Sequence, residues 1–182
     1  MSADIPFNRP GLVGRELEYM QAAVRGGHSS ASGPYTEKAS EILSTAHDGA
    51  HVLLTTSCTD ALEMSALLLD IRPGDLVIVP SFTFVSTALA FTRAGARILF
   101  ADIEPVTLGI DPRHVAELLD AHPGVRAVVT VHYAGVAGEI EALQDAGIAP
   151  LESHPAEGYF AHEHEGHLSR AIIVSIVPSW SS

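Results

Sequence analysis

Lysine occurs once in the 182 residues, at Lys38, and cysteine once, at Cys58. A single cysteine builds neither a disulfide framework nor a thiolate zinc site. Any chemistry that runs through a lysine amine has only Lys38 to use. No run of Lys or Arg exists, and the formal net charge is −12. Nucleic-acid binding needs a basic footprint, so nucleic acid is not an expected partner. The most apolar stretch near membrane-span length is broken by Asp70, Arg72 and Asp75. The opening, MSADIPFNRPGLVG, has no basic segment followed by an apolar run. A soluble, cytoplasmic protein without a membrane partner is therefore expected. Charged residues are scarce, at 18%, as on a surface meant to be covered by a partner subunit or by further chain.

Apolar residues make up 47%, which excludes a disordered chain and suits an α/β domain with a buried sheet. Helical spacing runs through 15–26 and again through 35–47. The run HVLLTTS (51–57) predicts a buried strand, and 59–71 a helix capped by Ser57 or Thr59. Strand and helix then alternate: 76–80, 84–95, 96–103, 112–121, 125–133 and 139–147. Asp111 and Pro112 are an N-cap and a first helical residue. Such alternation means βαβ units and a mostly parallel sheet with helices on both faces. Ligands in these folds sit at the carboxyl ends of the strands. That rule selects Thr55–Asp60, Pro80–Phe84, Asp102 and His132–Gly135.

Each selected segment has two readings. Ser57, Cys58 and Thr59 open a helix, where N–H groups and hydroxyls make a phosphate seat or merely a cap. Phe82 and Phe84 could stack on a flat ligand ring or fill the core, and at most one is expected to face a site. His132 and Tyr133 could touch a ligand, or His132 could be a hydrogen-bonded rim histidine. His162, His164 and His167 could hold a metal, but the pattern is not HExxH and no metal is expected. The segment 171–177 is a further strand candidate.

PFNRP, SGPYT, VLLTTSCTDALEM, PGDLVIVPSFTFVSTA, GARILFADI and VHYAGVAGEI occur in this order. Together they resemble the DegT/DnrJ/EryC1/StrS family of sugar aminotransferases, nearest to its branch that makes dTDP-4-amino-4,6-dideoxygalactose. The resemblance runs from about Ile5 to Gly147. It implies a fold-type-I, aspartate-aminotransferase-like large domain and pyridoxal 5′-phosphate (PLP) as cofactor. It implies conversion of a dTDP-4-keto-6-deoxyhexose to its 4-amino sugar, glutamate as amino donor, and a homodimer. Carried over by position, Ser57, Thr59 and the backbone at Asp60 seat the cofactor phosphate, and Phe84 stacks on its ring. Gly33, Pro34 and Tyr35 line the sugar-nucleotide pocket, with His132 and Tyr133 also facing substrate. An acid at Asp60 is unfavourable beside a phosphate unless its side chain turns away.

The resemblance stops at the chemistry. The family continues with Glu-Asp, the Asp pairing with the pyridinium nitrogen, whereas this chain reads Leu151-Glu152-Ser153. The family's Ser-x-His-x-x-Lys block, which carries the Schiff-base lysine, has no counterpart. The expected organisation is therefore residues 1–147 as the front of the large domain and 148–182 as a divergent tail. A frameshift or stop near residue 148 would give this loss of pattern. On this reading the sheet is truncated, covalent attachment at the family position is not possible, and the chain is inactive. The alternative is a non-catalytic domain that binds sugar nucleotide or PLP.

Overall fold

The computed structural model describes residues 14–28, 30–46, 49, 51–133, 136–145 and 151–153. The stretches 162–167 and 171–177 lie outside these residues. Helices α1 (Glu16–Arg25) and α2 (Pro34–Ala46) come first, followed by α3 (Cys58–Leu68). The chain then alternates: β1 (Leu76–Pro80), α4 (Val85–Arg93), β2 (Arg97–Ala101), α5 (Pro112–Ala121), β3 (Val125–Val131), α6 (Ile140–Asp145) and β4 (Leu151–Ser153). The four strands form one sheet in the order β2-β1-β3-β4. All three pairings are parallel. No described helix is long and apolar enough to cross a membrane.

The strands are apolar on both sides because both faces of the sheet are covered. Val77, Val79 and Val129 pack with Leu62 of α3 and with Ala90 and Phe91 of α4. Ile78 and Val128 project into the other core, with Val115 of α5 and Leu143 of α6. This division follows from the strand order. The chain moves outward from β1 to β2, then reverses past β1 to reach β3 and β4. With right-handed crossovers, a reversal of direction moves the connecting helix to the opposite face. The loops after β1 and β3 therefore diverge, and a crevice opens between their carboxyl ends.

One irregularity sits at the opposite edge. Leu76 pairs with Val125 but Val77 pairs with Ala127, so Arg126 is an extra residue in β3. A bulge of this kind re-aims the side chain. The Arg126 guanidinium donates to the Leu69 carbonyl at 3.3 Å and lies 3.9 Å from the Asp75 carboxylate. The end of α3 is thus tied to the start of β3.

The run 51–57 is not the buried strand that its composition predicts. It has no strand assignment, and Leu53 and Leu54 are 55% and 37% exposed. A parallel strand exists only beside another, and among the described residues none pairs with this run. The two N-terminal helices form where the periodicity places them, but they contribute a single buried hydrophobic side chain, Leu43.

Candidate functional site

The start of α3 lies at the carboxyl edge of the sheet. Arg126 fixes the other end of the helix beside the start of β3. Eleven residues of helix span about 16 Å, close to the roughly 17 Å of a five-residue strand. Ser57, in extended backbone, is the N-cap, and its Oγ accepts from the Asp60 N–H at 3.1 Å. The Ser57 carbonyl accepts from the Ala61 N–H at 3.1 Å and from the Thr55 hydroxyl at 2.9 Å. The Asp60 carboxylate accepts from the Thr56 hydroxyl at 2.5 Å. Hydrogen bonds to the carboxylate, from the Thr56 side chain first and then from the Ser57 side chain, hold the Asp60 carboxyl below the usual carboxylate range.

Two hydroxyls and a helical first turn are a donor set that suits a phosphate ester. Asp60 departs from the expected role in one respect: its N–H is already engaged by Ser57. Its carboxylate is engaged by Thr56. The part played by Thr56 has no signal in composition or spacing, since it depends on which way the N3 side chain folds back.

The loop after β1 bends at 81–83 and separates the two phenylalanines. Phe82 packs on Tyr133, with ring centroids 4.6 Å apart and planes 43° to each other. Phe84, the N-cap residue of α4, holds an extended backbone and is 69% exposed. The loop is held by Thr83, which donates to the Thr87 hydroxyl at 2.8 Å. The Phe82–Tyr133 contact spans the loops that follow β1 and β3, and Phe84 is left exposed.

His132 is buried, and its Nδ1 accepts from the Gly138 N–H at 3.0 Å. That bond requires Nδ1 without a proton, so the neutral ring carries its hydrogen on Nε2. His132 ties the returning loop 136–139 to the end of β3, while Tyr133 is exposed. Asp102, at the end of β2, donates its backbone N–H to His114 Nδ1 at 2.9 Å. Its carboxylate lies 3.3 Å from the same nitrogen. Asp102, Asp111, Arg113, His114 and Glu117 border an open pocket of about 330 Å³ on the α5 side.

Gly33, Pro34 and Tyr35 belong to the α1–α2 pair. Gly33 faces His28 so closely that an added Cβ would lie 2.7 Å from its ring. Pro34 opens α2. The Tyr35 ring meets Tyr19 edge-on at 5.8 Å, and the Lys38 amine stands 5.6 Å over it. Among the described residues, no group of three or more His, Cys, Asp or Glu could hold a metal ion. At the fourth strand end, Ser153 closes β4 in register with Val131.

Residues 11–149 match the model of the DegT/DnrJ/EryC1/StrS aminotransferase family. Among solved structures, the aminotransferase TlmJ from Streptoalloteichus hindustanus is 32% identical, with a TM-score of 0.73 over 84% of this chain and 42% of that one. The 3-amino-5-hydroxybenzoic acid synthase is 28% identical, with a TM-score of 0.72 over 81% of this chain and 40% of that one. A Streptococcus pneumoniae protein assigned as a sugar aminotransferase, solved in its PLP form, is 25% identical. Its TM-score is 0.69 over 79% of this chain and 36% of that one. The chain thus spans about two fifths of the length of these relatives.

Proposed function

The chain belongs to the DegT/DnrJ/EryC1/StrS aminotransferase family, and from that premise we propose that it carries the cofactor-phosphate and substrate-facing edge of a sugar aminotransferase. The observation that carries this reading is the placement of the α3 first turn and the open Phe84 ring at the carboxyl edge of one parallel sheet. PLP, when bound, supplies the electron sink for amino transfer. Ser57 and Thr59 hold its phosphate, and Phe84 covers its ring. Tyr133 faces the substrate, and His132 keeps the loop beneath it in place. Gly33, Pro34 and Tyr35 meet the nucleotide. The substrate class is a dTDP-linked 4-keto-6-deoxyhexose, with glutamate as amino donor. A second copy covers the exposed Leu17, Met20 and Val24 of α1.

Within these 182 residues the cofactor is held without a covalent bond, and the chain alone does not turn over. The one lysine amine stands 5.6 Å over the Tyr35 ring on α2. The same observation supports the second reading, a domain that binds PLP or sugar nucleotide without catalysis.

The test is an absorbance titration of the chain with PLP, followed by borohydride reduction and dialysis. Saturable binding that dialysis removes even after reduction is the expected result. A pyridoxyl group fixed at Lys38 would overturn the non-covalent reading. No binding at all would overturn the phosphate seat.

A further inference from the structure

We propose that Phe82 is a positioning residue for Phe84: by packing on Tyr133 it ties the loop that leads into α4 to the loop after β3, and so sets where the Phe84 ring lies over a flat ligand ring. The inference rests on the cofactor contact proposed above for Phe84 and adds to it a group that does not touch the ligand. Phe84 stands between Pro80, the end of β1, and Val85, the start of α4. Each of the three residues before it has an anchor on a different element. The Ser81 N–H donates to the Ala101 carbonyl at the end of β2, at 2.8 Å. The Phe82 ring packs on the Tyr133 ring, with centroids 4.6 Å apart. The Thr83 hydroxyl donates to the Thr87 hydroxyl of α4 at 2.8 Å. Of these three anchors, Phe82 is the one that reaches the β3 side.

A side chain makes this link at a point where the backbone is short of donors. Pro80 closes β1 without an N–H to give to a neighbouring strand. Two residues further on, the ring contact joins the two loops. Its far side is itself held. His132, buried at the end of β3, accepts the Gly138 N–H on Nδ1 at 3.0 Å. The Tyr133 carbonyl accepts the Val136 N–H at 3.1 Å. The Tyr133 backbone is thus fixed on both sides of its ring, and Phe82 packs on a wall that is already in place. Sequence alone offers Phe82 and Phe84 as equivalent candidates; the contact gives them different tasks.

Binding measurements separate positioning from general stability. Pyridoxamine 5′-phosphate has the cofactor's ring and phosphate but no aldehyde, so its binding reads non-covalent contacts alone. Its affinity is read by fluorescence titration, and that of inorganic phosphate by competition. Phe82→Leu keeps apolar bulk and removes the ring. It is expected to weaken pyridoxamine 5′-phosphate about two- to tenfold, the scale of one aromatic pair, with phosphate affinity unchanged. Phe82→Tyr keeps a ring and should restore the ratio of the two affinities. Tyr133→Leu removes the same contact from the other loop and should give a similar loss. The double variant Phe82→Leu/Tyr133→Leu should be no weaker than the weaker single variant, because both delete one interaction. Phe82 and Tyr133 are 40% and 39% exposed, so these truncations leave the buried core as it is.

Unchanged pyridoxamine 5′-phosphate affinity in Phe82→Leu would overturn the inference. So would a fall in phosphate affinity by the same factor, the mark of a general loosening of the sheet edge, or a Phe82→Tyr variant as weak as Phe82→Leu. If the unaltered chain binds neither ligand, the cofactor site proposed above fails and takes this inference with it. A chain that binds both ligands but ignores Phe82 fails on this point alone.

Discussion

α1 and α4 are helices of similar length, 10 and 9 residues, and each carries apolar residues at helical spacing. α4 buries Thr87, Ala90 and Phe91 against the sheet. α1 buries nothing, and its Leu17, Met20 and Val24 are 63–71% exposed. Periodicity reports that a helix has two unlike sides. It does not report what lies against the apolar side. For α4 the covering surface is β1 and α3 of the same chain. For α1 it is not among the described residues. Apolar area stabilises only when it leaves water, so the same pattern should carry different energies in the two regions.

The largest expected effect tests that statement directly. Phe91 is fully buried between α4 and the sheet. Phe91→Ala should cost about 3–5 kcal/mol of unfolding free energy, from lost transfer and the cavity left behind. Leu17→Ala, at 71% exposure, should change stability by no more than about 0.5 kcal/mol. Urea denaturation followed by circular dichroism measures both. A Leu17→Ala cost above about 2 kcal/mol would mean that α1 is covered in solution, and a concentration-dependent midpoint would identify the cover as a second copy.

Glycine substitutions sharpen the contrast at a smaller scale. Gly95 and Gly27 both hold left-handed backbone, with φ of +96° and +73°. An added Cβ at Gly95 would lie 2.8 Å from the Pro73 Cα, whereas at Gly27 it meets nothing within 4 Å. Gly95→Ala therefore combines the left-handed penalty with a backbone clash and should cost about 2–4 kcal/mol. Gly27→Ala retains only the conformational term, about 1 kcal/mol. Equal costs at the two sites would show that Pro73 yields, and that the turn joining α4 to β2 is less rigid than its packing implies.

How much could be read from the sequence divides along the same line. Local signals were sufficient inside the βαβ body. The Asp111-Pro112 start of α5, the strand at 76–80 and the Ser57 cap all stand where cap chemistry and apolar runs put them. Alternation placed the loops after β1 and β3 at the carboxyl edge of a parallel sheet, but their divergence needed the strand order. What failed was what depends on a distant neighbour. HVLLT is apolar and β-branched enough for a strand, but a strand needs a partner beside it, and its own residues do not encode one. Within the candidate site, the helix-start positions of Ser57, Thr59 and Phe84 were legible. The inward turn of His132 onto Gly138, the Phe82–Tyr133 contact and the Thr56–Asp60 bond were not. Each of these depends on loop geometry, to which hydrophobic periodicity is blind.

The smallest effect concerns a polar atom on the buried side of the comparison. A hydroxyl on α1 or α2 meets water, whereas Thr130 in β3 is fully buried. Its Oγ1 is the one buried side-chain polar atom among the described residues with no hydrogen-bond partner. It lies below the β3 carboxyl end, where a Cβ built on Gly138 would come within 3.7 Å of it. An unpaired hydroxyl in a dry core bears its desolvation cost without return. Valine has nearly the same shape and places a methyl group where the hydroxyl stood. Thr130→Val should therefore stabilise the chain by about 1 kcal/mol, visible as a higher urea midpoint at unchanged slope. A loss of similar size would mean that the hydroxyl has a partner in solution, and a small polar cavity at Gly138 able to hold an ordered water would be its source. Either sign separates the two regions further, because the corresponding exchange at exposed Thr45 should leave the midpoint unmoved apart from its slight effect on helix propensity.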